Sequence, residues 1–327
     1  MMTAVGCSTQ ASTSGTESTK KMKQPESFIH IDMVTISSGY AMTKNFHVLK
    51  TVDSGVNWTD TLTINSNSYS DGPGLYVLND KTVYVASYKA SGIEIQKSTD
   101  AGKSWSKNTM NMQVDDFNSA YGGSLTLSFI NQSDGFLLTS GLPAAGSMSK
   151  ALYRTSDGGN NWVYIGKSEN PEQGVGDLSG INGYTTGMTF FNSVTGYITC
   201  TYHGQKEISV YKTGNSGKSW SAVAIPLPEK YASAAYDKEY YADAYQPVVY
   251  GKDRKNVKME LYFCHDEVRY PYIYSSDNGG TTWHIDGISN LLMKEYCFID
   301  NRNGFGLNES GKLYTTNDGG ISWSETL

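Results

Sequence analysis

The chain has 327 residues, a formal net charge of −6 and only four arginines, Arg154, Arg254, Arg269 and Arg302. An acidic chain of this kind lacks the basic surface that nucleic-acid binding requires, so we expect no nucleic-acid partner. No stretch approaches the ~18 unbroken apolar residues of a membrane-spanning helix, so we expect no such segment.

Residues 1–27 differ in composition from the rest and are predicted to precede a single domain over 28–327. Residues 4–7 read AVGC, and eight of the next twelve residues are Ser or Thr. The pattern resembles the end of a bacterial lipoprotein signal followed by a flexible tether, with Cys7 carrying the lipid. Such a signal needs an apolar stretch of ~7–15 residues, so this prediction requires a start codon upstream; the alternative is a chance resemblance. It places the protein outside the cytoplasm, anchored to the cell membrane by lipid alone.

An eight-residue phrase, the box, recurs six times: Ser or Thr, Asp or Asn two residues on, Gly two further and Trp three beyond that. Each box lies between two short alternating runs, which predicts a hairpin turn between strands. Asn replaces Asp twice, so the position does not require charge, and this argues against catalysis or metal binding at the boxes. We predict structural roles for the Asp or Asn as acceptor of backbone N–H groups and for the Trp as packing between sheets. These residues are Asp53, Trp58, Asp100, Trp105, Asp157, Trp162, Asn215, Trp220, Asn278, Trp283, Asp318 and Trp323.

The spacing of the boxes predicts the fold. Their Asp or Asn positions are 47, 57, 58, 63 and 40 residues apart, the spacing of four-stranded antiparallel blades. A second phrase, an apolar strand, a polar turn, then Gly and an aromatic residue, precedes the boxes, as in SFINQSDGFLL over 128–138. The sequence therefore predicts an all-β, six-bladed β-propeller with the boxes between strands C and D. Seven blades is the alternative.

The six S/T-x-D-x-G-x-x-W phrases resemble the Asp-box, or bacterial neuraminidase repeat, superfamily of β-propellers. Together with the preceding D/N-x-x-x-G-F/Y turns, they resemble most the photosystem II assembly and stability factor-like branch. The resemblance covers residues 28–327 and implies the propeller fold. The resemblance gives little information about function, because the superfamily contains hydrolases and receptors as well as assembly factors. The branch implies an assembly or stability role.

The connections between blades indicate which face of the propeller binds a partner. In an antiparallel blade the A–B and C–D turns emerge at one end, so the boxes lie opposite the D–A connections. Those connections carry the extra length, over 108–123, 167–187 and 226–247. Long loops on a rigid ring are where binding usually occurs. We therefore predict a monomeric binding or scaffold protein whose long-loop face recognises a protein or peptide, with a glycan as second choice.

The third long connection is the most informative because it mixes tyrosines with carboxylates. Tyr offers rigid amphipathic contact area, and carboxylates accept hydrogen bonds from amides or sugar hydroxyls. An equally weighted alternative is a short surface helix whose tyrosines pack down against the rim. The candidate binding residues are Tyr231, Tyr236, Asp237, Glu239, Tyr240, Tyr241, Asp243 and Tyr245.

Two enzymatic functions are alternatives to this prediction. A sialidase needs an arginine triad, and the chain has no arginine before residue 154, which disfavours that activity. A glycoside hydrolase needs only two carboxylates and is the alternative function. Its candidates are Asp115, Asp116, Asp177, Asp237, Glu239, Asp266 and Glu267. His265 beside Asp266 and Glu267, with His203, gives only a weak indication of a metal. We assign no catalytic residue, metal or cofactor, and we predict that Cys200, Cys264 and Cys297 are buried free thiols.

Overall fold

The structure, a computed structural model, describes residues 21–23, 25, 27–65, 72–89, 92–111, 122–143, 146, 148–168, 176–202, 207–233 and 239–326. These residues form six antiparallel sheets, so the predicted six-bladed all-β propeller is confirmed over the alternative of seven blades. The innermost strands of successive blades pack against one another, and blade 6 packs against blade 1. The described cysteines Cys200, Cys264 and Cys297 are free and buried.

Strands A to D follow one another in chain order in each blade. Blade 1 contains β2 (Phe28–Met33), β3 (Gly39–Thr43), β4 (His47–Thr51) and β5 (Asn57–Thr63). Blade 2 contains β6 (Gly74–Val77), β7 (Val83–Lys89), β8 (Gly92–Ser98) and β9 (Ser106–Asn111). Blade 3 contains β10 (Gly122–Phe129), β11 (Gly135–Gly141), β12 (Lys150–Thr155) and β13 (Val163–Lys167).

The second half of the chain repeats this order. Blade 4 contains β15 (Tyr184–Phe190), β16 (Gly196–Thr201), β17 (Val210–Thr213) and β18 (Ser221–Ala222). Blade 5 contains β19 (Tyr241–Ala244), which continues as β20 (Val248–Tyr250), then β21 (Asn256–His265), β22 (Val268–Ser276) and β23 (His284–Ile288). Blade 6 contains β24 (Glu295–Phe298), β25 (Gly304–Leu307), β26 (Leu313–Thr316) and β27 (Ser324–Glu325).

Three short elements supplement the blades. β1 (Lys21–Lys23) pairs with β5 and adds an outer strand to blade 1, from residues before the predicted domain boundary. β14 (Gly176–Asp177) pairs in parallel with β13. Helix α1 (Glu229–Ala232) lies in the connection between blades 4 and 5. None of the described helices is long and apolar enough to span a membrane.

The core lies between the blades, so strand B is buried on both sides, as along the whole of β11. The phrase that ends in Gly and an aromatic residue explains the close packing. A Cβ on Gly135 would lie 2.4 Å from the ring of Phe129, the last residue of strand A, so only Gly leaves room for that ring. Phe129 in turn stacks on Tyr84 of blade 2, with ring centroids 3.6 Å apart.

The six boxes adopt one hydrogen-bonded turn. In the box of blade 1, Asp53 Oδ1 accepts from the backbone N–H of Asn57, four residues on, at 2.8 Å. The Thr51 hydroxyl accepts from the N–H of Gly55 at 2.9 Å and donates to Asp53. Gly55 has φ of 87°, in the left-handed region that favours glycine. The same three bonds recur around Asp100, Asp157, Asn215, Asn278 and Asp318.

Each box is also bonded to the A–B turn of its own blade. The fourth box residue donates its N–H to a carbonyl of that turn, from Ser54 to Ser37 in blade 1 and from Gly319 to Arg302 in blade 6. Ala101, Gly158, Ser216 and Gly279 do the same in blades 2 to 5. The boxes and A–B turns therefore form one face, the box face, and the opposite end is the long-loop face.

Candidate functional site

The predicted tyrosine-rich connection divides into a packed part and a strand. Tyr231 lies on α1 and is buried, and its ring stacks on Phe263 with centroids 4.5 Å apart. Tyr240 packs against Tyr231 with centroids 4.9 Å apart. The structure therefore corrects the expectation for Tyr231: it belongs to the core between blades 4 and 5 and is not available to a partner. The alternative of tyrosines packed down by a short helix describes this residue.

Three other predicted residues alternate along strand A of blade 5 and its end: Tyr241 and Asp243 lie on β19, and Tyr245 directly follows it. Tyr241, Asp243 and Tyr245 share the side of the sheet that faces blade 6. Asp243 is fully buried and lies directly opposite Tyr262 of strand B. Tyr245 and Tyr262 have ring centroids 5.8 Å apart. The structure thus brings these three predicted residues into one cluster, and it places Asp243 inside it rather than on the surface.

The same cluster contains a buried carboxyl that the sequence did not indicate. Glu260 is fully buried on strand B, and its Oε1 accepts from the N–H of Met293 at 3.1 Å. Burial raises the pKa of Glu260 well above its ordinary value, against the opposing effect of the Met293 N–H. Its backbone N–H donates to the hydroxyl of Tyr296, which donates to the carbonyl of Gln246. Glu260 therefore joins blades 5 and 6 through its carboxyl and its backbone N–H.

An ion pair covers this cluster at the long-loop face. The Arg269 guanidinium lies 5.3 Å above the ring of Tyr262 and contacts Glu309 of blade 6 at 2.5 Å. Both side chains are largely exposed, at 46% and 67% of their side-chain surface. Exposed pairs of this kind contribute only about 0–1 kcal/mol, so Arg269 and Glu309 can separate at little cost when another charged group approaches.

The hairpin that carries Arg269 projects from the long-loop face. β21 extends two residues, Cys264 and His265, further towards the long-loop face than any other strand B, which corresponds to about 7 Å. Its tip consists of the exposed residues Asp266 and Glu267, both with left-handed φ angles of 51° and 63°. Glu239 at the start of strand A is exposed as well. The blade 5–6 rim therefore presents the exposed carboxylates of Glu239, Asp266, Glu267 and Glu309 together with the exposed cations Lys230 and Arg269.

The remaining predicted residues have different positions. Tyr236, Asp237, Asp115, Asp116, His203 and Cys7 lie outside the described residues. Asp177 is at the outer edge of blade 3, so it lies on a different blade from the other described hydrolase candidates Glu239, Asp266 and Glu267. Lys230 Nζ lies 2.9 Å from Nε2 of His265, which places a cation where a metal would bind. No group of three potential ligands for a metal ion occurs among the residues that the structure covers.

The fold is shared with solved structures. No protein-family model matches the chain, and no curated protein matches it in sequence. An oligogalacturonate lyase from Vibrio parahaemolyticus is 8% identical with a TM-score of 0.57, over 95% of this chain and 82% of that one. A protein from Lactobacillus plantarum is 10% identical with a TM-score of 0.50, over 91% and 87%. YCF48 bound to a D1 peptide is 12% identical with a TM-score of 0.48, over 94% and 83%. At these identities the likeness shows the propeller fold alone.

Proposed function

We propose that this protein is a non-enzymatic binding protein that recognises a polypeptide partner on its long-loop face, at the rim of blades 5 and 6. The observation that carries the proposal is the exposed Arg269–Glu309 pair on a projecting hairpin, above a buried cluster of tyrosines and carboxyls. Such a rim offers charged groups on a rigid support, as recognition surfaces require.

The charges of the rim favour a partner segment that carries basic residues. Glu239, Glu267 and Glu309 are exposed there together with Asp266, whereas the neighbouring cations already have contacts: Arg269 pairs with Glu309, Lys230 lies against His265 and Lys312 pairs with Glu325. A lysine or arginine of the partner would take Glu309 from Arg269, and Arg269 would keep its contact with the Tyr262 ring. Charge complementarity of this kind accelerates encounter and decreases with ionic strength.

The experiment compares two sets of charge-neutralising variants. Glu239→Gln, Glu267→Gln and Glu309→Gln together remove three charges from the long-loop face. Asp80→Asn, Asp253→Asn and Asp277→Asn remove three from turns of the box face. Proteins crosslinked to each form in the cell envelope of the source organism are quantified by mass spectrometry. We expect the first set to reduce crosslinking of a specific partner at least ten-fold and the second to leave it unchanged. Equal effects of the two sets would contradict the proposal.

We further propose that the protein acts outside the cytoplasm, tethered through a lipid on Cys7. The support is the AVGC phrase and the Ser/Thr-rich stretch that follows it. Expressed from a reading frame with a complete signal, the protein would incorporate labelled palmitate, and Cys7→Ala would not. The six equivalent box turns support membership of the Asp-box superfamily and its photosystem II factor-like branch.

A further inference from the structure

Each of blades 1 to 4 pairs an aromatic residue of strand B with a cation of strand C directly before the box. The cross-strand partners are Tyr40 with Lys50, Tyr84 with Lys97, Phe136 with Arg154 and Tyr197 with Lys212. In all four blades the cation lies over the aromatic ring, at 5.1 to 5.7 Å from its centroid. The cation–π pair is therefore a repeated part of the interface between blades on the box face.

Two of these lysines also bond to the next blade. Lys50 Nζ donates to the carbonyl of Ala101 at 3.5 Å, and Lys97 Nζ donates to the carbonyl of Gly158 at 3.2 Å. Ala101 and Gly158 are the fourth residues of boxes 2 and 3. The cation thus fills the space between the aromatic ring of one blade and the box of the following blade.

Blade 5 keeps the cation but moves it to the other strand. Its equivalent pair is Lys258 on strand B with Ser275 on strand C. Lys258 Nζ lies against Gly319, the fourth residue of box 6, and 5.4 Å from the ring centroid of Phe298. The space before the next box is therefore occupied by a cation in this blade as well.

Blade 6 has the aromatic residue without the cation. Its pair is Phe305 with Thr315, and the following box is that of blade 1, whose fourth residue is Ser54. These three residues line a groove of about 390 Å³. The groove thus occupies the place that Lys50, Lys97 and Lys258 fill at the interfaces that follow blades 1, 2 and 5.

We propose that this groove, between blades 6 and 1 on the box face, binds a lysine or arginine side chain of a partner polypeptide. The ammonium or guanidinium group would lie over Phe305 and donate to the carbonyl of Ser54, as Lys97 does with Tyr84 and Gly158. This site lies on the face opposite the long-loop rim, so it is independent of the function proposed above.

The rim of the groove indicates a polypeptide rather than a free amine. Ile36, which lines the groove, is 54% exposed, and Val52 and Val56 of box 1 are 70% and 52% exposed. The second and sixth positions of the other boxes are polar or glycine in nine of ten cases, the exception being Ile321. Apolar residues that flank the basic side chain of a partner would cover this exposed aliphatic patch.

The test titrates the isotope-labelled protein with short capped peptides and follows its amide resonances. The probes are acetyl-Gly-Lys-Gly-amide, acetyl-Val-Lys-Val-amide and a control with norleucine in place of lysine. We expect saturable shifts at Ser54, Gly304 and Thr316 with millimolar affinity for the lysine probes. The valine-flanked probe should bind at least three-fold more tightly, and the norleucine control should cause no saturable shift.

Two variants change the number of sites. Thr315→Lys supplies the missing cation and should abolish the shifts, while raising the melting temperature. Lys97→Thr empties the equivalent space between blades 2 and 3 and should add a second set of saturable shifts near Gly158, and Lys50→Thr does the same near Ala101 if the first variant does not fold. Unchanged binding to Thr315→Lys, equal shifts with norleucine, or no new site in a folded Lys→Thr variant would each overturn the proposal.

Discussion

The interface between blades 2 and 3 and the seam between blades 6 and 1 use the same elements but differ in chemistry. The first has Tyr84 stacked on Phe129 and Lys97 bonded across to Gly158. The seam has neither an aromatic stack nor a bridging lysine at the equivalent positions. Met33 takes the place of Phe129, and Thr315 takes the place of Lys97. The seam therefore has an open groove at its box end.

The seam instead concentrates polar contacts near the centre of the ring. Both ring nitrogens of His30 face acceptors, with Nδ1 2.8 Å from Glu295 of blade 6 and Nε2 2.9 Å from the carbonyl of Pro73. Both nitrogens can donate to these partners at once only when the ring is an imidazolium ion. Glu295 also accepts from the N–H of Ile31, and Phe28 donates to the carbonyl of Gly311. The seam thus adds charged contacts to its own buried core, whereas the interface between blades 2 and 3 adds a ring stack, which makes the two separable by mutation and by pH.

The largest loss of stability should come from removing a large side chain at the interface between blades 2 and 3. Phe129→Ala removes a fully buried ring and its stack on Tyr84, so we expect a loss of about 3–5 kcal/mol in the free energy of unfolding. The matched change at the seam, Met33→Ala, should cost about 2 kcal/mol, because it removes fewer atoms and no ring stack. Urea unfolding followed by tryptophan fluorescence measures both. A larger loss for Met33→Ala would refute the distinction.

The seam should show the stronger pH dependence. Burial opposes the charge of His30, but Glu295 and the Pro73 carbonyl outweigh it and raise the pKa of His30 above 6.5. Its stabilising contribution is therefore complete below pH 6.5 and is lost as the pH rises through the raised pKa. We expect His30→Gln to cost about 1–3 kcal/mol at pH 6 and little at pH 9. Unfolding free energies across this range measure the difference.

Other groups near His30 require a control. Lys294 opposes its protonation, and Asp32 lies close by with a pKa that burial raises to about 7. An acid with a raised pKa also loses stabilisation as the pH rises, so Asp32 contributes in the same direction. The comparison is therefore repeated in an Asp32→Asn background. If the pH dependence of the His30→Gln effect disappeared there, Asp32 rather than the seam ion pair would be responsible.

The fold was predictable because its signals are local and repeated. The box encodes a turn through residues four positions apart, such as Asp53 and Asn57, and six copies give the ring size. The blade 5–6 cluster was predictable only for Tyr241, Asp243 and Tyr245, which follow one another in the chain. Glu260, Tyr296 and Glu309 reach it from other strands, and no short-range pattern relates them. Tyr231 was misjudged because composition cannot tell a buried tyrosine from an exposed one.

Part of the seam groove could also have been predicted from the sequence, because the residue that distinguishes it occupies a repeated position. The residues directly before the six boxes are Lys50, Lys97, Arg154, Lys212, Ser275 and Thr315. The absence of a basic side chain at Thr315 is therefore visible in the sequence. Its meaning requires the structure, because only the ring brings Thr315 and the first box, some 260 residues earlier, to the same groove.

The smallest change in stability should come from an Asp→Asn substitution in a box, because the boxes have the same structure at both interfaces. In boxes 4 and 5 the amide of Asn215 or Asn278 donates to the hydroxyl of Ser219 or Thr282, whereas in box 6 the Ser322 hydroxyl donates to Asp318. A hydroxyl can reverse this role, so Asp318→Asn should change the free energy of unfolding by less than about 0.5 kcal/mol at pH 7.

Low pH distinguishes the contribution of the Asp318 charge from that of the hydrogen bonds which Asp318 accepts in the box of blade 6. Burial opposes ionisation of Asp318, but hydrogen bonds from Ser322 and Thr316 lower its pKa below 3.8. A lowered pKa stabilises the fold above pH 3.8, and that contribution is lost as the pH falls through the lower value. Asp318→Asn has no such loss, so it should be less sensitive to acid below pH 4 than the unaltered chain. Asp318→Ala should cost about 1 kcal/mol at pH 7, because the Ser322 N–H loses its acceptor. A similar cost for Asn and Ala would mean that the box requires the charge after all.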